Sequence, residues 1–143
     1  MKWDGSMFSG FSGTDPWLPC DTSDVASVEM QRKDPLSLLH VYREVIQLRN
    51  HDHVLRRGVT KWIDLPGALP VLAYVRDDGS DRRLVLLNFS AREVSFSAFP
   101  VQKAMESETL RVLYSTVPGD TSVEGAPQRL SLQPSQGMIC AGG

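Results

Sequence analysis

Only two cysteines occur in the 143 residues, Cys20 near one end and Cys140 near the other. With no CxxC spacing, neither a structural zinc site nor a dithiol redox pair is expected, and the two thiols read as isolated. Long hydrophobic runs are missing as well. No stretch approaches the roughly 20 apolar residues of a membrane-spanning helix. Behind Met1, Lys2-Trp3-Asp4-Gly5 lacks the apolar core of a secretory leader. A cytoplasmic location with no membrane partner is the expectation. Charge of one sign is also scarce: fifteen Lys and Arg stand against seventeen Asp and Glu, and the basic residues are scattered in pairs. Nucleic acid is therefore not an expected partner. Glycine-rich phosphate loops, the G-x-S-x-G elbow and HExxH are all absent, and no internal repeat is visible.

What is present suffices for a packed core. Hydrophobic residues make up 41% and charged residues 22% of the chain, ordinary values for a globular protein of about one domain. The opening, to about Lys33, has Gly, Ser, Pro and Asp distributed among Trp3, Phe8, Phe11 and Trp17, with no steady period. It reads as a long ordered loop, a kind of segment that is commonly docked on a neighbour. Next comes a helix over 35–50. Asp34 is the expected N-cap, and Pro35 takes the first helical position, where a missing N–H costs nothing. Leu38, Leu39, Val41, Tyr42, Val45, Ile46 and Leu48 follow at spacings of three and four, a wide apolar face that requires a packing partner.

Beyond Gly58 the pattern changes to short β-branched and aromatic runs. Strands are predicted at 59–63, 71–76, 83–89, 94–98, 109–115, 129–132 and 137–140, with no helix between them. Asp77-Asp78-Gly79-Ser80-Asp81 is predicted as a hairpin turn, because Gly supplies a positive φ and Asp side chains bond turn backbone. About seven strands in this arrangement point to an antiparallel sandwich.

Each motif that invites a chemical reading has a plainer one. Asn50-His51-Asp52-His53 holds two of the three histidines and a carboxylate. Imidazoles two residues apart meet a metal only from an extended segment, and no third ligand follows at a recognisable spacing; a solvated helix stop is the alternative. Asn88-Phe89-Ser90 has the glycosylation pattern but closes a predicted buried strand. Trp62, Tyr74, Phe89 and Phe96 could form a sugar-stacking shelf, although aromatics at strand spacing more often bury their area in a core. The carboxylates fall in turns and on polar faces. Catalytic residues, metal ligands and cofactor sites are accordingly all read as none.

Three segments together resemble one family. Met1-Lys2-Trp3-Asp4 resembles the Pro-Met-Gln-Trp-Asp stretch of α-glucosidases and oligo-1,6-glucosidases of glycoside hydrolase family 13, within the α-amylase superfamily. Gly10-Phe11-Ser12 with Pro16-Trp17-Leu18-Pro19 resembles the next stretch of that family. Val28-Glu29-Met30-Gln31, leading to Asp34-Pro35-Leu36-Ser37-Leu38-Leu39 and Tyr42-Arg43-Glu44-Val45-Ile46-Gln47-Leu48-Arg49, is the third. Fainter similarities continue through Gly58, Ala73-Tyr74-Val75-Arg76, Leu87-Asn88-Phe89-Ser90 and Leu132-Gln133-Pro134.

The resemblance implies the carboxy-terminal part of such an enzyme. Residues 1–33 would end the loop after the eighth barrel strand, 34–52 would be the last barrel helix, and 53–143 would be a Greek-key β-sandwich of the domain C type. The fold class is then mainly β, with one helix and a long loop ahead of the sandwich. The family's retaining chemistry uses two carboxylates about 5 Å apart at the carboxyl ends of barrel strands. Those residues, with a third stabilising Asp, would precede Met1. The family also has an Asn-His-Asp motif, but ahead of the Trp-Asp loop, so Asn50-His51-Asp52 does not correspond to it. Only Trp3 and Asp4 are expected near substrate, because the eighth loop borders the cleft; anchoring their own loop is the alternative. The implied partner is the (β/α)8 barrel, with oligosaccharide reached only through it, and with self-association through the helix face if the barrel is absent. The rival readings are an ancillary ectodomain like the heavy chains of amino-acid transporters, and a carbohydrate-binding module.

Overall fold

The computed structural model describes residues 1–20, 27–120 and 126–143, which form two compact units, 1–48 and 49–143. In the first unit the loop is clipped to a short helix. The Trp3 N–H donates to the Ser9 carbonyl at 2.8 Å, and the Lys2 and Trp3 carbonyls accept from the Val28 and Glu29 N–H groups at 3.0 and 2.9 Å. Those donors open helix α1 (Val28–Lys33), whose N-cap Ser27 accepts from the Met30 N–H. The sequence pattern had suggested loop as far as Lys33. The change to helix follows from the Ser27 cap, which, with the Lys2 and Trp3 carbonyls, satisfies N–H groups of a first turn that would otherwise lack acceptors.

Helix α2 (Leu38–His51) carries the predicted apolar face, but it starts three residues later than Pro35. Asp34 ends α1 and accepts from the Leu36 N–H at 2.9 Å, so residues 34–37 make a turn in which the Ser37 N–H reaches the Asp34 carbonyl. The cap of α2 comes from a distance: Gln31 Oε1 accepts from the Leu39 N–H at 3.0 Å, while Ser37 Oγ donates to the Gln31 carbonyl at 2.6 Å. Gln31 thus serves the helix start, an assignment that Asp34 and Pro35 had suggested for themselves.

In the second unit, Asp52 stops α2 and N-caps α3 (His53–Arg57), accepting from the Leu55 N–H at 2.8 Å. Seven antiparallel strands follow among the described residues. They are β1 (Val59–Trp62), β2 (Val71–Asp77), β3 (Arg82–Asn88), β4 (Val94–Ser97), β5 (Leu110–Ser115), β6 (Arg129–Leu132) and β7 (Gly137–Gly142). Five make a sheet in the order β1-β2-β3-β7-β5, and β4 pairs with β6 as a ribbon. The chain leaves the sheet after β3, returns to its far edge as β5, leaves again for β6 and re-enters between β3 and β5 as β7. The fold is the mainly β, antiparallel sandwich expected of a family 13 domain C, and the predicted strands match within two residues at each end.

The core lies between the sheet and the ribbon. Ala73 and Val75 of β2, Leu84 and Leu86 of β3, Leu110 of β5, and Met138 and Cys140 of β7 face Phe96, Leu130 and Leu132 of the ribbon. Period-two alternation places each set on one face. Burying a leucine such as Leu84 or Leu86 contributes about 2 kcal/mol. One expectation fails here: helix α4 (Phe99–Met105) stands between β4 and β5 and seals the core with Val101 and Met105. Ala98, Val101, Ala104 and Met105 are spaced three and four apart, and Pro100 sits in the first turn, yet seven residues are too few for that period to stand out beside strands. Both thiols are free, and Cys140 is fully buried.

Candidate functional site

Trp3 and Asp4 lie in the tight opening turn. Asp4 Oδ1 accepts from the Ser6 N–H at 2.9 Å, and the Ser6 hydroxyl and N–H hold its carboxyl below the usual carboxylate range. Gly10, at φ +70°, backs directly onto that carboxylate, and an added Cβ would stand 2.4 Å from Asp4 Oδ2. The Trp3 ring is partly exposed. This geometry positions the Asp4 carboxylate but gives it no proton-transfer partner within the turn.

The histidine cluster separates on folding. His51 ends α2, Asp52 turns to α3 and also accepts from Arg83 Nε at 2.6 Å, and His53 Nδ1 lies 3.0 Å from Asp78 Oδ2. Among the described residues no three His, Cys, Asp or Glu side chains converge in a way that could hold a metal ion. Asp52 and His53 instead fasten α3 to the β2–β3 hairpin.

That hairpin gathers several charged side chains. Asp78 Oδ1 accepts from the Ser80 and Asp81 N–H groups at 3.0 and 2.9 Å, and Gly79 takes φ +89°, as the turn chemistry predicts. Asp77 is nearly buried and receives Lys61 Nζ at 2.6 Å and Arg82 Nε at 2.9 Å; these donors and the Gly79 N–H hold its carboxyl far below the ordinary range. Arg82 reaches on to Glu106 at 2.8 Å, and Arg83 to Asp81 at 2.6 Å. A cleft of about 300 Å³ opens beside Arg82, Glu106 and Ser107. Its carboxylates are already neutralised by arginine and lysine, so the arrangement clamps β1, β2, β3 and the end of α4. Sequence reading found the turn but not the network, because Lys61 and Glu106 come from distant positions.

Asn88 is closed to glycosylation in the folded chain. It is 3% exposed; its Nδ2 donates to the carbonyls of Arg92, Leu132 and Gln133, and its Oδ1 accepts from the Ser90 N–H and hydroxyl. The four aromatics divide. Phe96 is core, whereas Trp62 is 68% exposed and meets Tyr74 edge to face at 5.3 Å, and Phe89 is also exposed.

No protein-family profile matches the chain. Individual relatives do. A probable α-glucosidase of Rhizobium meliloti is 33% identical over 91 residues, 63% of this chain and 16% of that protein. An oligo-1,6-glucosidase of Bacillus cereus is 27% identical over 141 residues, 97% of this chain and 24% of the relative. Among solved structures, the trehalulose synthase of Pseudomonas mesoacidophila MX-45 superposes with a TM-score of 0.77 at 28% identity, over 98% of this chain and 24% of the synthase. The isomaltulose synthase of Klebsiella sp. LX3 gives 0.78 at 26%, with the same coverage. The chain belongs to glycoside hydrolase family 13. It corresponds to the carboxy-terminal part of an α-glucosidase-type member and spans about a quarter or less of the length of these relatives. Sequence and fold agree over nearly all of it, so the family 13 likeness covers the opening loop and α2 as well as the sandwich.

Proposed function

We propose that this chain is the non-catalytic carboxy-terminal domain of a family 13 enzyme acting on the α-glucosidic bonds of maltose or isomalto-oligosaccharides, and that it supports the catalytic barrel. The observation that carries this reading is the uncovered stripe of α2. Leu38, Tyr42 and Ile46, four residues apart, are 65%, 62% and 53% exposed. Such a stripe is seldom left in water, and a (β/α)8 wall is the partner that would cover it. Trp17 of the opening loop is also 91% exposed.

In this reading the catalytic carboxylates belong to the barrel, oligosaccharide reaches the chain only through it, and no cofactor takes part. Trp3 and Asp4 stand at the edge of the cleft as its nearest residues to substrate. The direct test is glucose release from maltose and from isomaltose by the purified 143-residue chain. The expected result is none at any enzyme concentration, and turnover that scales with the chain would refute the reading. A physical test accompanies it. Static light scattering should show concentration-dependent association, abolished when Leu38, Tyr42 and Ile46 are all replaced by Ser; a wild-type chain that stays monomeric at every concentration counts against the exposed stripe.

A further inference from the structure

Asp4-Gly5 and Asp78-Gly79 are the two Asp-Gly steps of the chain. At such a step the second residue has no Cβ to shield its nitrogen, and its backbone turns freely. Both steps share one local geometry. The N–H two residues on folds each carboxyl back over the following peptide, Ser6 onto Asp4 Oδ1 at 2.9 Å and Ser80 onto Asp78 Oδ1 at 3.0 Å. In that position Cγ and the glycine nitrogen are the two ends of a five-membered ring.

What differs is how firmly each step is held. Asp78 Oδ1 also accepts from the Ser80 hydroxyl at 2.8 Å and the Asp81 N–H at 2.9 Å, its Oδ2 faces His53 Nδ1 at 3.0 Å, and its side chain is 11% exposed. The Gly79 N–H points at Asp77 Oδ1, 2.7 Å away, so turning that nitrogen onto Cγ breaks a bond to a nearly buried carboxylate. Around Asp4 the donors come from Ser6 alone, Gly5 is exposed, and its N–H donates to nothing among the described residues. Both carboxyls are held below the ordinary range, Asp4 by Ser6, and Asp78 much further by the Asp81 N–H, the Ser80 hydroxyl, His53 and the Ser80 N–H. Because a carboxyl loses its oxygen as water only when protonated, that difference too favours reaction at Asp4.

We propose that Asp4 is a self-modification site, at which the opening turn converts an aspartate to isoaspartate and so unclips the loop from α1. Water is the only co-reactant. The Gly5 nitrogen attacks Asp4 Cγ; an N–Cγ bond forms, and the hydroxyl of the protonated carboxyl leaves with the amide proton as water. A second water then opens the resulting succinimide. Attack at Cγ restores Asp4. Attack at the Asp4 main-chain carbonyl carbon breaks its bond to nitrogen instead, and leaves the chain running through Cβ and Cγ with the former carbonyl as a free carboxylate. The product has one more backbone carbon inside the turn that the Trp3 N–H closes onto the Ser9 carbonyl at 2.8 Å. Gly10 backs directly onto the Asp4 carboxylate, so the turn has no slack there to take up the extra length. Trp3 therefore shifts, and the Lys2 and Trp3 carbonyls are the acceptors of the Val28 and Glu29 N–H groups that open α1.

The test is ageing of the folded 143-residue chain in mildly acidic buffer. Isoaspartate is scored by methyl transfer from radiolabelled S-adenosylmethionine with an isoaspartyl methyltransferase, and is located by peptide mapping. It should accumulate at Asp4 roughly tenfold or more faster than at Asp78, which has to break several hydrogen bonds before it reacts. In urea the two steps should react at similar rates, and Gly5→Val, whose branched side chain shields the nitrogen, should abolish the reaction at Asp4. Equal rates at the two steps in the folded chain, or a folded chain that forms none at Asp4 while the unfolded chain does, would overturn the proposal. The unclipping has its own readout in hydrogen exchange. The Val28 and Glu29 amides should exchange faster in the isoaspartate fraction, separated by chromatography, than in the unmodified one and in aged Gly5→Val; unchanged exchange would overturn the release of the loop.

Discussion

Replacing Asn88 by Ala should be among the most damaging polar substitutions in the sandwich. The side chain closes the end of β3 onto the loop leading to β4 and the end of β6, through three donated and two accepted hydrogen bonds. Truncation orphans these groups, and each buried orphan costs about 1–3 kcal/mol. The costs do not add fully, because Arg92 and Gln133 are exposed residues whose carbonyls water can reach, whereas the contact to the Leu132 carbonyl is buried. A loss of roughly 2–4 kcal/mol follows. Each kcal/mol moves the midpoint of a domain this size by about 4 °C or more, so a fall on the order of 10 °C is expected. Urea unfolding followed by far-ultraviolet circular dichroism should show a lower midpoint with an unchanged slope. The isosteric Asn88→Asp adds a second signature. Its ionised form would face three carbonyl oxygens, so its folded pKa rises above the unfolded value of about 3.9, and the penalty grows as pH increases through that range. A loss below 0.5 kcal/mol for Asn88→Ala, on the order of a neutral surface change, would refute the view that this side chain joins the two sheets.

Three further outcomes follow from other contacts. Gly58→Ala places a Cβ 2.7 Å from the Val54 carbonyl and 2.8 Å from the Asp77 nitrogen, both backbone atoms, so a destabilisation of about 1–3 kcal/mol by the same urea assay is expected, and a neutral result would show that α3 can shift. Asp77 has a folded pKa depressed by Lys61 and Arg82, so its contribution is full above the unfolded carboxylate pKa and is lost as pH falls towards the folded one. Melting curves from about pH 6 down to 3 should therefore fall less steeply for Asp77→Asn than for the wild type, and parallel curves would contradict the clamp. The Cys140 thiol is pushed up to about 12 by burial, with the Asp120 charge adding to it. At pH 8 a thiol reagent should modify Cys140 only after denaturation, and rapid labelling of the native Cys20→Ser variant would place it outside the core.

Much of the architecture could be read without coordinates, because it rests on local rules. Alternation in 94–98, the apolar run of 84–87 and the Asp-Asp-Gly-Ser-Asp turn each encode their own geometry. The family motifs were legible as residue order and spacing, whereas the backbone bonds that join Lys2 and Trp3 to Val28 and Glu29 appear only on folding. Elements that depend on distant partners were misplaced. The start of α2 moved from Pro35 to Leu38 because Gln31 supplies its cap, and the opening loop gave up its last six residues to α1. Helix α4 went unseen because only the core beneath it turns a short stretch with a proline into a lid.

The histidines illustrate the same division, since two neighbouring imidazoles invited a metal until Asp52 was seen to cap α3 and His53 to meet Asp78. By itself the sequence determined the strand positions and the turn, because side-chain periodicity and turn residues act over a few neighbours, and its motifs carried the family resemblance. Tertiary structure alone decided which polar groups are satisfied. Asn88 found five bonds, Asp77 two cations and Arg76 no carboxylate among the described residues, and pairing across a fold depends on where the backbone carries each group.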